Sequence, residues 1–96
     1  MIAQVTVKSI SKKDATVTGE IKTGRQLHQF ERTQDEDGRH CYTWPQSLMT
    51  RLSKSYQGDT DAIATAETAL ECIVTHLVDE VLLSKQDLPI TSEGDV

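Results

Sequence analysis

Apolar and polar residues alternate along the first half of the chain. Val5 and Val7 are interleaved with Gln4, Thr6 and Lys8, with Ile2 and Ile10 at the flanks. After a polar turn, Ser11-Lys12-Lys13-Asp14, the residues Ala15, Val17, Gly19 and Ile21 share one parity, and Thr16, Thr18, Glu20 and Lys22 share the other. Successive side chains of a strand point to opposite faces, so this period of two predicts strands with one buried face. Thr23-Gly24 predicts a tight hairpin turn. From Arg25 to Arg32, Leu27 and Phe30 fall on opposite parities, which predicts either a bulge or one exposed apolar side chain. Thr33 to Gly38 is a polar loop ending in the turn-forming pair Asp37-Gly38, and Arg39 to Trp44 reads as a short fourth strand.

After Trp44 the period changes. Pro45 suits the first position of a helix, and Leu48, Met49, Leu52 and Tyr56 recur at helical spacing up to Gly58, which predicts a helix over 45–57. Asp59 or Thr60 can cap a second helix. Ile63, Ala66, Leu70, Ile73, Val74, Leu77 and Val81 then recur every three or four residues. They predict one continuous helix from Asp61 to about Lys85, roughly 36 Å long. Opposite this stripe stand Thr65, Ala69, Cys72, His76 and Leu83, small or half-polar residues in place of the Lys/Glu mixture usual on a free helix surface. This second strip is expected to pack on the first helix, the other arrangement being contact with another molecule. The helix outruns a six-residue strand of about 20 Å. Its end near Val78, Leu82 and Leu83 is therefore expected to overhang as an apolar interface.

The expected fold class is α+β: a three- to four-stranded antiparallel meander followed by two helices, the longer packed across the sheet. One domain is expected over 1–85, with 86–96 a flexible acidic tail. The expected core is Val5, Val7, Val17, Ile21, Phe30, Trp44, Leu48, Leu52, Ile63, Leu70, Ile73, Val74 and Leu77.

Composition narrows this picture. With 36% apolar and 4% aromatic residues in 96 positions, nearly every apolar side chain is needed for the core. A chain of this size buries only about 60–65% of the surface it exposes when unfolded. No room is expected for a large apolar ligand cavity, and a homodimer sharing core surface would relieve the shortage. No stretch approaches the roughly 20 apolar residues of a membrane span, and Ile2 to Val7 is too short and polar for a secretory signal. Two cysteines, Cys41 and Cys72, make no disulfide framework. A cytoplasmic protein with reduced thiols, away from membranes, is expected.

The formal charge of −5 is unevenly placed: residues 1–44 carry seven Lys/Arg against six acids, and residues 45–96 three against nine. A partner with a basic surface would favour the second half.

Candidate chemistry is sparse. Cys72 and His76, four apart on a helix, project from one side, and His40-Cys41 would complete a four-ligand set. Structural zinc sites draw ligands in tight pairs from a knuckle, however, and neighbours on a strand point to opposite faces. No metal and no cofactor is expected. Neither thiol has an evident base with an orienting group. Asp35, Glu36 and Asp37 read as a solvated loop, and Asp59 and Asp61 as a helix cap. The five glycines are isolated, so no phosphate loop is present.

The leading expectation is thus a small non-enzymatic protein that occupies a surface of a larger protein or nucleoprotein complex through Glu67, Glu71, Asp79 and Glu80. Size and charge match inhibitors carried by phages and mobile elements, anti-CRISPR proteins among them, although no motif ties the chain to any such family. The alternative is a nucleic-acid-associated regulator. It would use Lys12, Lys13, Lys22, Arg25, Arg32 and Arg39 along one rim of the sheet, with Tyr42 and Trp44 as stacking platforms. The core assignment is testable. Leu70→Asp would bury an unpaired charge and is expected to unfold the protein, read as loss of the far-ultraviolet circular dichroism signal.

Overall fold

The computed structural model describes residues 1–96. Its elements are β1 (Ile2–Ile10), β2 (Val17–Thr23), β3 (Gln26–Gln34), β4 (His40–Thr43), α1 (Gln46–Ser55), α2 (Thr60–Ser84) and β5 (Ile90–Asp95). The strands form one sheet in the order β4-β3-β2-β1-β5, with every neighbouring pair antiparallel. The helices cover one face, and the other is open.

Alternation decides which face is covered. Ala3, Val5 and Val7 of β1, Val17 and Ile21 of β2, and Phe30 of β3 enter one core with Leu48 and Leu52 of α1 and Ala66, Leu70, Val74, Leu77 and Val78 of α2. Each fully buried Leu, Ile or Phe contributes roughly 1.5–3 kcal/mol relative to exposure. The opposite parity gives the open face, where Gln4 lies across from Lys22 and Glu93, and Thr6 from Glu20 and Thr91. The register of β1 and β2 shifts between Val7 and Ser9. This bulge brings Ser9 onto the open face, where its hydroxyl pairs with that of Thr18, beside the ion pair Lys8–Glu20.

Two caps set the limits of α2. The Asp59 carboxylate accepts hydrogen bonds from the Asp61 and Ala62 amides at 3.0 and 3.2 Å, and Lys85 ends the helix in the left-handed region at φ 54°. At 25 residues α2 spans roughly 37 Å, against roughly 30 Å for the nine residues of β1 or β3.

Several expectations change. Residues 90–95, expected in a flexible tail, form β5 beside β1, so the sheet has five strands. Val78, expected on an overhang, is only 3% exposed and belongs to the core, because it lies beside Val74 on the covered side of the helix. The overhang is confined to Leu82 and Leu83, 62% and 81% exposed. The second strip of α2 does not pack on α1: Thr65, Cys72, His76 and Leu83 are exposed, and Ala69 is half-buried. Trp44, Ile63 and Ile73 are half-buried at the core's margin, with Trp44 stacked on Tyr42 at 5.1 Å and tilted against Phe30 at 5.8 Å. The Leu27/Phe30 conflict resolves by exposure of Leu27.

The Phe30 ring rests on Gly19. A Cβ at Gly19 would lie 2.1 Å from the Thr6 carbonyl oxygen and 2.7 Å from Phe30 Cε1, so backbone as well as side chain stands in its way. Gly19→Ala is therefore expected to lower unfolding free energy by about 3 kcal/mol, whereas Gly94→Ala meets only the movable end of Ile73 and should cost less. Urea denaturation of both variants compares them.

Candidate functional site

The solvent side of α2 is unpartnered along the length of the helix. The helix contains Asp61, Glu67, Glu71, Asp79 and Glu80 and no lysine or arginine. The ten remaining acids are balanced by ten lysines and arginines elsewhere, so α2 accounts for the whole net charge of −5. Glu67 and Glu71, one turn apart, are half-buried on one flank. Asp79 is exposed on the crest, and Glu80 lies on the other flank, where its Oε1 is 3.0 Å from His76 Nε2. The four acids thus wrap around the solvent side instead of lining one edge. Leu82 and Leu83 follow within a turn of Asp79.

A groove of about 550 Å³ separates this helix from β4. It is lined by His40, Tyr42, Thr68, Glu71, Cys72, Thr75, His76 and Asp79. Tyr42 forms its floor, with its hydroxyl 3.2 Å from Thr75 Oγ1 and donating to the Glu71 carbonyl at 3.4 Å. The groove brings His40, Cys72 and His76 to one place, but no three His, Cys, Asp or Glu side chains are positioned to hold an ion. Cys41, adjacent to His40 on a strand, points to the open face. Both thiols are exposed.

Other carboxylates serve the backbone. Asp35 Oδ1 accepts from the Asp37 and Arg39 amides, each at 2.9 Å, and so shapes the β3–β4 turn. Asp59 caps α2.

The basic residues expected on one rim are dispersed. Lys12 and Lys13 lie in the β1–β2 turn and Arg39 in the β3–β4 turn, at one end of the sheet. Arg25 lies in the β2–β3 turn at the other end, and Lys22 is on the open face. Arg32 is 5% exposed, with its Nε buried and without a partner. It shares the inward parity of Phe30, which removes it from any rim.

A buried polar cluster went unread in the sequence. His28, 1% exposed, shares that inward parity, and this was the signal for it. Its Nε2 is 2.8 Å from Thr23 Oγ1 on β2 and its Nδ1 is 2.8 Å from Ser47 Oγ on α1, so the ring ties the first turn of α1 to the sheet. Burial, and secondarily the charge of Arg51, push its pKa below the ordinary histidine value, which favours the neutral ring.

No helix is long and apolar enough to cross a membrane. No family model matches the chain, and neither the curated proteins nor the solved structures contain a match.

Because the His28 pKa is lower in the folded state than in the unfolded chain, the unfolded chain binds a proton first as pH falls. Stability from this group is complete above pH about 6.5 and declines below it until the folded-state pKa is reached. Urea unfolding at several values between pH about 7 and about 5.5 should show this decline in the wild type and a shallower one in His28→Gln.

Proposed function

We propose that the protein is a non-enzymatic binding module that occupies a basic surface of a larger protein or nucleoprotein with the solvent side of α2. One observation carries the reading: a 25-residue helix holding all the net charge has one side free along its length. Carboxylates spread over that side attract a positive surface and speed encounter, while Leu82 and Leu83 supply an apolar anchor at one end. Basic surfaces of this kind often serve to hold phosphates, so occupying one amounts to inhibition by exclusion. This is the mode expected of a phage or mobile-element inhibitor, including one of anti-CRISPR type. In this reading Asp35 and Asp59 serve a turn and a cap, and the two exposed thiols lie on separate elements. The rim-based nucleic-acid reading has less behind it, because Arg32 is buried and the other cations are divided between two ends and the open face.

The test begins with recovery of the partner from a lysate and proceeds to affinity measured across salt concentrations. A variant with Glu67→Gln, Glu71→Gln, Asp79→Asn and Glu80→Gln is expected to bind at least about tenfold more weakly and with a flatter salt dependence. Leu82→Ala with Leu83→Ala should weaken binding and leave the salt dependence intact. Unchanged affinity in both variants would remove α2 as the contact surface.

A further inference from the structure

The end of the molecule remote from the Lys12-Lys13 turn carries a second feature, independent of the α2 surface. A depression of about 480 Å³ lies between the β2–β3 turn and α1. Its lining is Thr23, Gly24, Arg25 and Gln26 from the turn, and Gln46, Ser47, Thr50, Arg51 and Lys54 from the helix. None of these nine residues is apolar and none is acidic. In a protein with fifteen acids against ten bases, it is the one depression of four without a carboxylate on its wall.

The three cations here are unspent. The ion pairs of the protein join the Met1 amino group to Asp95, Lys8 to Glu20, and His76 to Glu80. Arg25, Arg51 and Lys54 take part in none of them, and their side chains make no hydrogen bond. Three like charges converging without a counter-charge repel one another, and an anion placed among them relieves that repulsion. Arg25 comes from a turn and the other two from a helix, so the convergence is tertiary and not a run of basic sequence.

The hydroxyls complete a donor set. A neutral imidazole has one N–H donor and one acceptor nitrogen. Of the two hydroxyls bound to His28, one therefore donates to the ring and the other accepts from it, which leaves the second one's proton without a partner. Thr50 Oγ1 accepts from Gln46 Nε2 at 3.3 Å and likewise keeps its proton. Pro45 at the start of α1 supplies no capping side chain, so the Gln46 and Ser47 amides are left without an acceptor, whereas the Leu48 amide donates to the Pro45 carbonyl at 3.0 Å. Guanidinium groups, an ammonium, hydroxyls and amides are together the donor set that phosphate oxygens accept from.

We propose that this depression binds the phosphate group of a small polar solute. The lining argues against two other phosphate sources. With no aromatic ring it offers no platform for a nucleobase, and with no apolar residue it offers nothing to an acyl chain. Gln26, Gln46 and Thr50 instead suit the hydroxyls of a sugar or polyol phosphate.

The experiment titrates the full-length protein with inorganic phosphate and with glycerol phosphate, following backbone amide resonances. Saturable shifts centred on Gly24–Gln26 and Gln46–Lys54 are expected. The exposed-site double variant Arg25→Gln, Lys54→Gln should lose at least about tenfold in affinity while keeping the wild-type circular dichroism spectrum. Lys12→Gln with Lys13→Gln removes the same charge at the other end of the sheet and should leave affinity within about twofold. Equal losses in the two double variants, or no saturable shift, would overturn the site. A single-stranded oligonucleotide arm decides the source. If it binds more tightly in proportion to its length, with shifts spreading to Lys12 and Lys13, the small-solute assignment fails.

Discussion

A sheet covered on one face has room for a single apolar layer, and here that layer is closed by the stripe Ala66, Leu70, Val74, Leu77 and Val78 of α2. Everything else is arranged around it. The sheet brings valines and Ile21 up from below, α1 adds only Leu48 and Leu52, and three aromatic side chains seal the β3–β4 margin. With so little in reserve, the fold depends on close approach. Gly19 lets Phe30 lie flat on β2, and Gly94 lets Ile73 reach β5.

The same division of labour separates the charges. A helix that spends one side on the core has the other free for polar residues, and on α2 those are acids without bases. Cations collect where α1 meets the β2–β3 turn. The molecule is thus electrically polarised, with the acidic helix and the basic depression presented on different elements. A separation of charge of this kind exerts an orienting torque on any charged molecule that comes near.

Much of this was legible in the chain. The alternation from Val17 to Ile21 and the stripe of α2 could be read because a buried face imposes its period on the residues that line it. Gly58 and Asp59 marked the break between the two helices for local reasons, the one as a left-handed stop after the first and the other as a cap for the second. β5 was hidden for a physical reason: its inward positions are Ile90, Ser92 and Gly94, and a glycine is needed where Ile73 packs down, so the segment has the composition of a loop. His28 and Arg32 were available through their parity with Phe30, but their polarity argued for solvent, and only hydrogen bonds to Thr23 and Ser47 make the buried histidine intelligible. The basic depression was not legible at all. Some twenty residues separate its two halves, and only the docking of α1 brings them together. On α2 the acids were identified from sequence, whereas their distribution around the helix required coordinates.

The pairing of β5 with β1 has a consequence for how the chain is assembled. β1 and β2 are neighbours in sequence and can zip together early, but the outer edge of β1 waits for a partner more than eighty residues downstream. Closing so long a loop is entropically slow. During synthesis β1 therefore presents an unpaired row of amides and carbonyls until Ile90–Asp95 has emerged. Throughout that interval the hydrophobic inner face of β1 lies behind a bare strand edge, and the docking of β5 is the step that closes both.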